Sequence, residues 1–307
     1  MITAQIIVQN DEATIESCIK SLIKYNNLFK FDIINIGSTD KTLEICNDYK
    51  LNITNVDNIK NYAEVRNQNL LKHKTDFSMY IHPYEKLIYD ENLNTTLNNK
   101  SCYLFKVIQG TILTKELRLW CSKSIKFKNP IFEELTKKEG TQTNFVIVSN
   151  VINYKLINSK SIINEWKKTN PLNSEPYYYE AFELLKEKDY LNFKNVAEHY
   201  LFLDKNSKSS IMMRYYLSLI QLHCFNDINS AYSNVLKCIL KKTLMAEFWC
   251  LLGDLFYKIS DTHRALEFYD NAIILGSQRK ENDNYPLDIT KYKEYPEQML
   301  KKLKNNI

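Results

Sequence analysis

Short apolar runs rich in Ile, Val and Phe alternate with amphipathic stretches through the first hundred residues, the sequence form of βα units around a largely parallel sheet. Residues 3–8 read as a buried strand, and 14–25 as a helix with Ile15, Cys18, Ile19 and Leu22 on one face. Residues 31–36 form the next predicted strand, closed by the turn Gly37-Ser38-Thr39-Asp40 before a helix over 42–49. Weaker strands follow at 51–55 and 77–81 around a helix at 63–73. A later group at 102–109, 112–120 and 144–153 completes one predicted α/β domain.

Past about residue 156 the apolar period becomes helical and stays so. Ala197, Ala231 and Ala265 stand 34 residues apart in succession, the tetratricopeptide period, in which a small residue sits where two helices cross. Trp249, Leu252, Gly253, Phe256, Ala265, Tyr269 and Ala272 match the repeat pattern W-x2-LG-x2-Y followed by A-x3-F-x2-A. The unit before it places Tyr215, Leu219, Leu222, Ala231 and Val235 at these offsets, and the first places Ala181, Leu185, Ala197 and Leu201 there. The expected organisation is an α/β domain over 1–156 and an all-α tetratricopeptide-like array over 157–307. Its repeats lie near 178–211, 212–245 and 246–279, followed by a C-terminal helix.

Composition narrows the function classes. With 307 residues, 44% hydrophobic and 12% aromatic, the chain can build two packed cores. The 41 basic and 36 acidic residues leave a net charge of +5 with no long like-charge block before Lys301, Lys302 and Lys304, so nothing demands nucleic acid. No run approaches the roughly 20 apolar residues of a membrane span, which predicts a cytoplasmic protein. Seven scattered cysteines without a CxxC spacing read as reduced thiols, and five histidines form no zinc-ligand pattern.

Four ordered segments carry candidate chemistry. Ile6-Ile7-Val8-Gln9-Asn10-Asp11-Glu12 ends the first strand, and Asn35-Ile36-Gly37-Ser38-Thr39-Asp40-Lys41-Thr42 ends the second. A Gly there allows a tight turn, while Ser, Thr and Asp satisfy free amides at a helix start beside the ligand crevice of an open sheet. Asn61-Tyr62-Ala63-Glu64-Val65-Arg66-Asn67 follows. The fourth comprises Leu117-Arg118-Leu119-Trp120 with Phe127-Lys128-Asn129-Pro130-Ile131-Phe132-Glu133-Glu134.

Over residues 2–155 these segments resemble the nucleotide-sugar-binding domain of family 2 glycosyltransferases, and the helical appendage resembles that of a subset including sublancin-type peptide S-glycosyltransferases. The resemblance implies a GT-A (Rossmann-like) mixed sheet flanked by helices and inverting transfer from a nucleotide-diphosphate sugar, of uridine type, to a protein, peptide or glycan. It further implies nucleotide-sugar contacts at Val8, Asn10, Glu12, Asn35, Ser38, Asp40, Arg66, Asn67, His82, Tyr84 and Arg118, with Glu133 as general base.

The sequence departs from that pattern at the metal. Family members hold Mg²⁺ or Mn²⁺ with Asp-x-Asp, where this chain has Tyr80-Ile81-His82-Pro83-Tyr84-Glu85. Asn35 replaces an Asp and Phe132 a His. Two readings stay open: a glycosyltransferase with weak or no metal dependence, in which Arg66, Arg118 and nearby lysines stabilise the leaving diphosphate, or an inactive pseudo-glycosyltransferase acting as a scaffold. Under either, the array binds a protein acceptor or partner, or a second copy in a homodimer.

Overall fold

The computed structural model describes residues 1–25, 27–88, 97, 101–121, 125–149, 158–279 and 285–305; the predicted strand residues 150–153 lie outside them. The chain divides into two units, Met1–Ile162 and Ile163–Ile307, a boundary six residues beyond the expected one and inside a helix.

In the first unit β1 (Ile2–Val8) is buried at all seven positions, as a central parallel strand covered on both faces should be, with Ile2, Ala4, Ile6 and Val8 in the apolar core and Thr3 and Gln5 on the other face. It pairs in parallel with β2 (Phe29–Asn35) and β4 (Phe77–Tyr80), and β3 (Ile53–Asn55) extends the parallel set beyond β2. On the far side of β4 the sheet turns mixed. The antiparallel hairpin of β6 (Cys102–Gln109) and β7 (Ile112–Cys121) joins through β7, then come β10 (Thr141–Ser149), parallel to β6, and the antiparallel edge β5 (Glu85–Ile88). The eight-strand order is β3-β2-β1-β4-β7-β6-β10-β5, a mixed α/β sheet as expected.

Helices α1 (Ile15–Ile23), α2 (Thr42–Asp48) and α3 (Tyr62–Leu70) are the crossovers. On α1 the predicted Ile15, Cys18, Ile19 and Leu22 are fully buried in the core with Ile6, Ile33, Met79 and Phe105. Asn61 caps α3 by accepting from the Glu64 amide, 3.1 Å away. Strand β5 and the two-residue pair β8 (Phe127–Lys128) and β9 (Glu134–Leu135) had no apolar run to announce them.

The second unit opens with α4 (Ser159–Thr169) and continues as three helix pairs. These are α5 (Glu175–Lys186) with α6 (Tyr190–Leu203), α7 (Lys208–His223) with α8 (Ile228–Lys241), and α9 (Ala246–Lys258) with α10 (Thr262–Gly276); α11 (Glu294–Lys304) closes the chain. Each second helix starts alike: a residue at left-handed φ (Lys188, Asn226, Ser260), then an Asp cap (Asp189, Asp227, Asp261) accepting from the amide three residues on. This recurring turn, with the helix pairing, makes the unit a tetratricopeptide-like array.

The caps also correct the predicted register of the first repeat. Asp227 and Asp261 are 34 apart, but Asp189 and Asp227 are 38 apart, since α7 is 16 residues long against 13 for α9 and the loop after α7 is one residue longer than that after α9. Counted from its cap, the position of Ala231 and Ala265 is held in the first repeat by Phe193; Ala197 lies one turn further on, so its 34-residue spacing does not mark the equivalent site. On α7 the small residue at the crossing is Ser218 rather than the adjacent Leu219: it is fully buried and its hydroxyl donates to the Ala231 carbonyl, 2.6 Å away.

Gly253 plays this part in the last pair. A Cβ there would stand 2.5 Å from the Tyr269 ring, which is anchored by its hydroxyl on Asp254. Gly253→Ala is therefore expected to destabilise the array by about 1–3 kcal/mol, read as a lower urea midpoint; an unchanged or raised midpoint would refute this packing.

Candidate functional site

The loops after β1 and β2 are stitched together at the carboxyl ends of the parallel strands. The Asn10 side-chain oxygen accepts from the Thr39 amide (2.8 Å), and the Asn10 amide donates to the Ser38 hydroxyl (3.2 Å). Glu12 accepts from the Lys41 amide (3.0 Å), and Asp40 accepts from the amides of Thr42 (2.9 Å) and Glu12 (3.1 Å). Partial burial alone would raise the Asp40 carboxyl, but these hydrogen bonds outweigh it and hold the pKa below the ordinary value. Val8 ends β1 opposite Asn35, and the Asn35 amide group donates to Asn55 while its oxygen receives the Ser38 amide, both at 2.9 Å. Gly37 supplies the left-handed turn at φ 89°.

Beside this knot lies a cleft of about 510 Å³ lined by Gln9, Ile36, Gly37, Val56, Asp57, Asn58, Ile59, Tyr62 and Asn158. It lies past the ends of β1, β2 and β3, where open α/β sheets take ligands. Of the resemblance segments it uses Gln9, Ile36, Gly37 and Tyr62, whereas Asn10, Glu12, Ser38 and Asp40 brace its loops. The segment 56–59 after β3 was not singled out in the sequence; its signal is the turn pair Asp57-Asn58, with Asn58 at φ 52°.

Of the remaining candidate residues, Arg66 and Arg118 are buried and each is paired with a glutamate. Arg66, 1% exposed, is ion-paired through Nε to Glu133 and donates through Nη1 to Gln5 (3.2 Å); Gln5 in turn donates to Asp32 at 3.0 Å. Arg118, 2% exposed, grips Glu85 with two parallel bonds of 2.9 and 2.8 Å and reaches Glu116 at 2.9 Å. Its guanidinium lies 4.3 Å from the centre of the Tyr80 ring, and Arg66 lies 5.1 Å from that of Phe127. Asn67 clamps β8 from both sides, accepting from the Phe127 amide (2.8 Å) and donating to its carbonyl (2.9 Å). A smaller recess of about 220 Å³ adjoins these pairs, where Tyr80, Glu116 and Glu133 meet Lys115, Lys137 and Lys138.

At the expected metal position the His82 ring stacks on Tyr84, with centroids 5.2 Å apart and the planes nearly parallel. Burial first, then the Arg118 and Arg66 charges, push the His82 pKa down to about 3. The imidazole is thus neutral at physiological pH and cannot serve as a cation for phosphate. Its NMR resonances are expected not to titrate between pH 5 and 8, a midpoint near 6.5 being the contrary result. Because the folded pKa lies below the unfolded one, this group contributes stability above pH 6.5 that is lost as pH falls toward 3.

A hard divalent cation does not fit these residues. His82 offers nitrogen and Tyr84 a phenol, while the nearest carboxylate, Glu85, is committed to Arg118 and to the His82 amide (2.8 Å). Among the described residues no three His, Cys, Asp or Glu side chains cluster as metal ligands, and no helix is long and apolar enough to cross a membrane.

No model of a known protein family matches the chain, and no curated protein matches it. Solved structures do. A MamA fragment from Desulfovibrio magneticus RS-1 is 18% identical with a TM-score of 0.38, over 47% of this chain and 77% of that one. PcrH in complex with the chaperone binding region of PopD is 11% identical, TM-score 0.37, over 43% and 91%. The Yersinia enterocolitica type III secretion chaperone SycD, with a peptide of the translocator YopD, is 14% identical, TM-score 0.36, over 43% and 92%. At these scores the likeness adds nothing to what the caps and helix crossings of this chain establish.

Proposed function

We propose that the first unit is a catalytically silent relative of the family 2 glycosyltransferases and that the chain works as a scaffold, its helical array holding a protein segment. The observation that carries this reading is the fate of the transfer chemistry: His82-Pro83-Tyr84 stands where two metal-holding carboxylates belong, and Glu85 is spent on a buried bidentate pair with Arg118. Glycosyl transfer needs an electrophilic clamp on the departing diphosphate and a base for the acceptor. Here the two arginines and two glutamates best suited to those tasks neutralise one another inside the core.

The sheet order, with parallel β3-β2-β1-β4 followed by the antiparallel β7, supports descent from a GT-A framework, and the cleft past β1 to β3 has room for a nucleoside. The transferase reading would require Glu133 to leave Arg66 and take a proton in its place. Titration with Mn²⁺ followed by electron paramagnetic resonance, with and without uridine diphosphate, tests the metal side. The spectrum of the matching protein-free sample is expected throughout; a protein-dependent loss of free signal at micromolar Mn²⁺ would reject the reading.

A further inference from the structure

The second helices of the array carry an exposed apolar side chain at one repeated place. Thirteen residues after the caps Asp189, Asp227 and Asp261 stand Phe202, Leu240 and Ile274, exposed by 72%, 81% and 57%. Large apolar groups held in water at the same point of successive repeats serve no packing role within the unit. At Phe202 this edge opens into a groove of about 490 Å³ between α6 and α8, with α7 as its floor.

The groove's polar lining has one sign of charge unanswered. Half-buried Arg214 rises from the floor and bonds only weakly to Asn234 (3.4 Å), which donates to the buried Gln221 at 3.0 Å. Lys237 stands on the α8 wall. Among the described residues neither cation has a carboxylate within ion-pair distance, and Glu198, the acidic side chain lining the groove, reaches neither. A half-desolvated guanidinium without a counter-charge favours a carboxylate brought from outside, and the neighbouring ring favours an apolar group beside it.

We infer that this groove between second helices binds an extended peptide segment that sets a carboxylate against Arg214 and Lys237 and a large apolar side chain against Phe202. It rests on the scaffold reading and deepens it by naming the face and the chemistry of the partner. An extended chain suits the site better than a small anion, because the apolar positions continue from Phe202 to Leu240 and Ile274 along the same edge.

The test is selection of a displayed library of random dodecapeptides on the full-length protein, followed by fluorescence polarisation with the selected peptides. The expected outcome is enrichment of sequences pairing Asp or Glu with Leu, Phe or Met. Their affinity should fall at least tenfold in Arg214→Gln and in Phe202→Ser, fall steeply with added salt, and remain unchanged in Lys20→Gln on the other unit. Circular dichroism of both groove variants should match the parent, since Phe202 is exposed and Arg214 lies outside the apolar core. Peptides lacking acidic residues, or binding indifferent to both substitutions, would overturn the inference while leaving the scaffold reading standing. Selection that yields no binder at millimolar peptide would overturn it as well, and the Mn²⁺ titration that tests the silent first unit is independent of either result.

Discussion

Arg118→Met is expected to destabilise the first unit by about 3–5 kcal/mol, because it strands the Glu85 carboxylate, 3% exposed, without its counter-ion. The loss is local in origin. Arg118 sits on β7, which pairs with β4, while Glu85 opens β5 at the opposite edge of the sheet order, so the pair ties the middle of the sheet to its last strand. Arg118→Met/Glu85→Leu should recover most of the loss, since replacing both members of a buried pair with apolar groups is near neutral. Urea unfolding read by hydrogen exchange at β4 and β7 measures both. A single substitution that costs under 1 kcal/mol would mean that the pair is solvated, and the transferase reading would regain its leaving-group cation.

The second large effect belongs to the array. Sequence pattern makes Trp249 the anchor of the last repeat, but Trp249 is only partly buried: it stacks on Phe268 with ring centres 6.1 Å apart and its indole donates to the Thr243 carbonyl at 2.6 Å. The adjacent Phe248 is wholly buried and packs on Tyr215 of the preceding repeat at 5.4 Å. Phe248→Ala should therefore cost about 3–5 kcal/mol, as expected for a large cavity that cannot collapse, and Trp249→Ala distinctly less. Chemical denaturation of the two variants settles the order. A larger loss for Trp249 would restore the sequence-based assignment and contradict the packing described here.

These two cases show where the sequence was legible. Strands β1 and β2, the crossover helices and the repeat in the last helix pair came through clearly, because each has a strong period: continuous apolar runs for buried strands, one apolar face for α1, small residues at helix crossings. The extra turn of α7 hid the register of the first repeat, since Ala197 falls at the right spacing for the wrong reason. Strand β5 carries Glu85 and Lys86 in four residues, and no propensity marks it.

At the candidate site, motif reading found residues but not their directions. Arg66, Arg118, Glu85 and Glu133 come from α3, β7, β5 and the segment between β8 and β9, and only the fold reveals that Arg66 pairs with Glu133 and Arg118 with Glu85. Asn10, Glu12, Ser38 and Asp40 likewise prove to bond across two loops. The cleft residues Asp57 and Asn58 sit in a turn that belongs to no recognisable motif, so the sequence does not mark them.

The proposal that this framework transfers no sugar is tested most directly by turnover. Release of nucleoside diphosphate would be followed for uridine, guanosine and thymidine diphosphate sugars, with and without Mn²⁺, in the presence of peptide and glycan acceptors. The account predicts release at the protein-free rate for every donor, the same in Glu133→Gln as in the parent. Donor-specific release above that rate, abolished by Glu133→Gln, would contradict it.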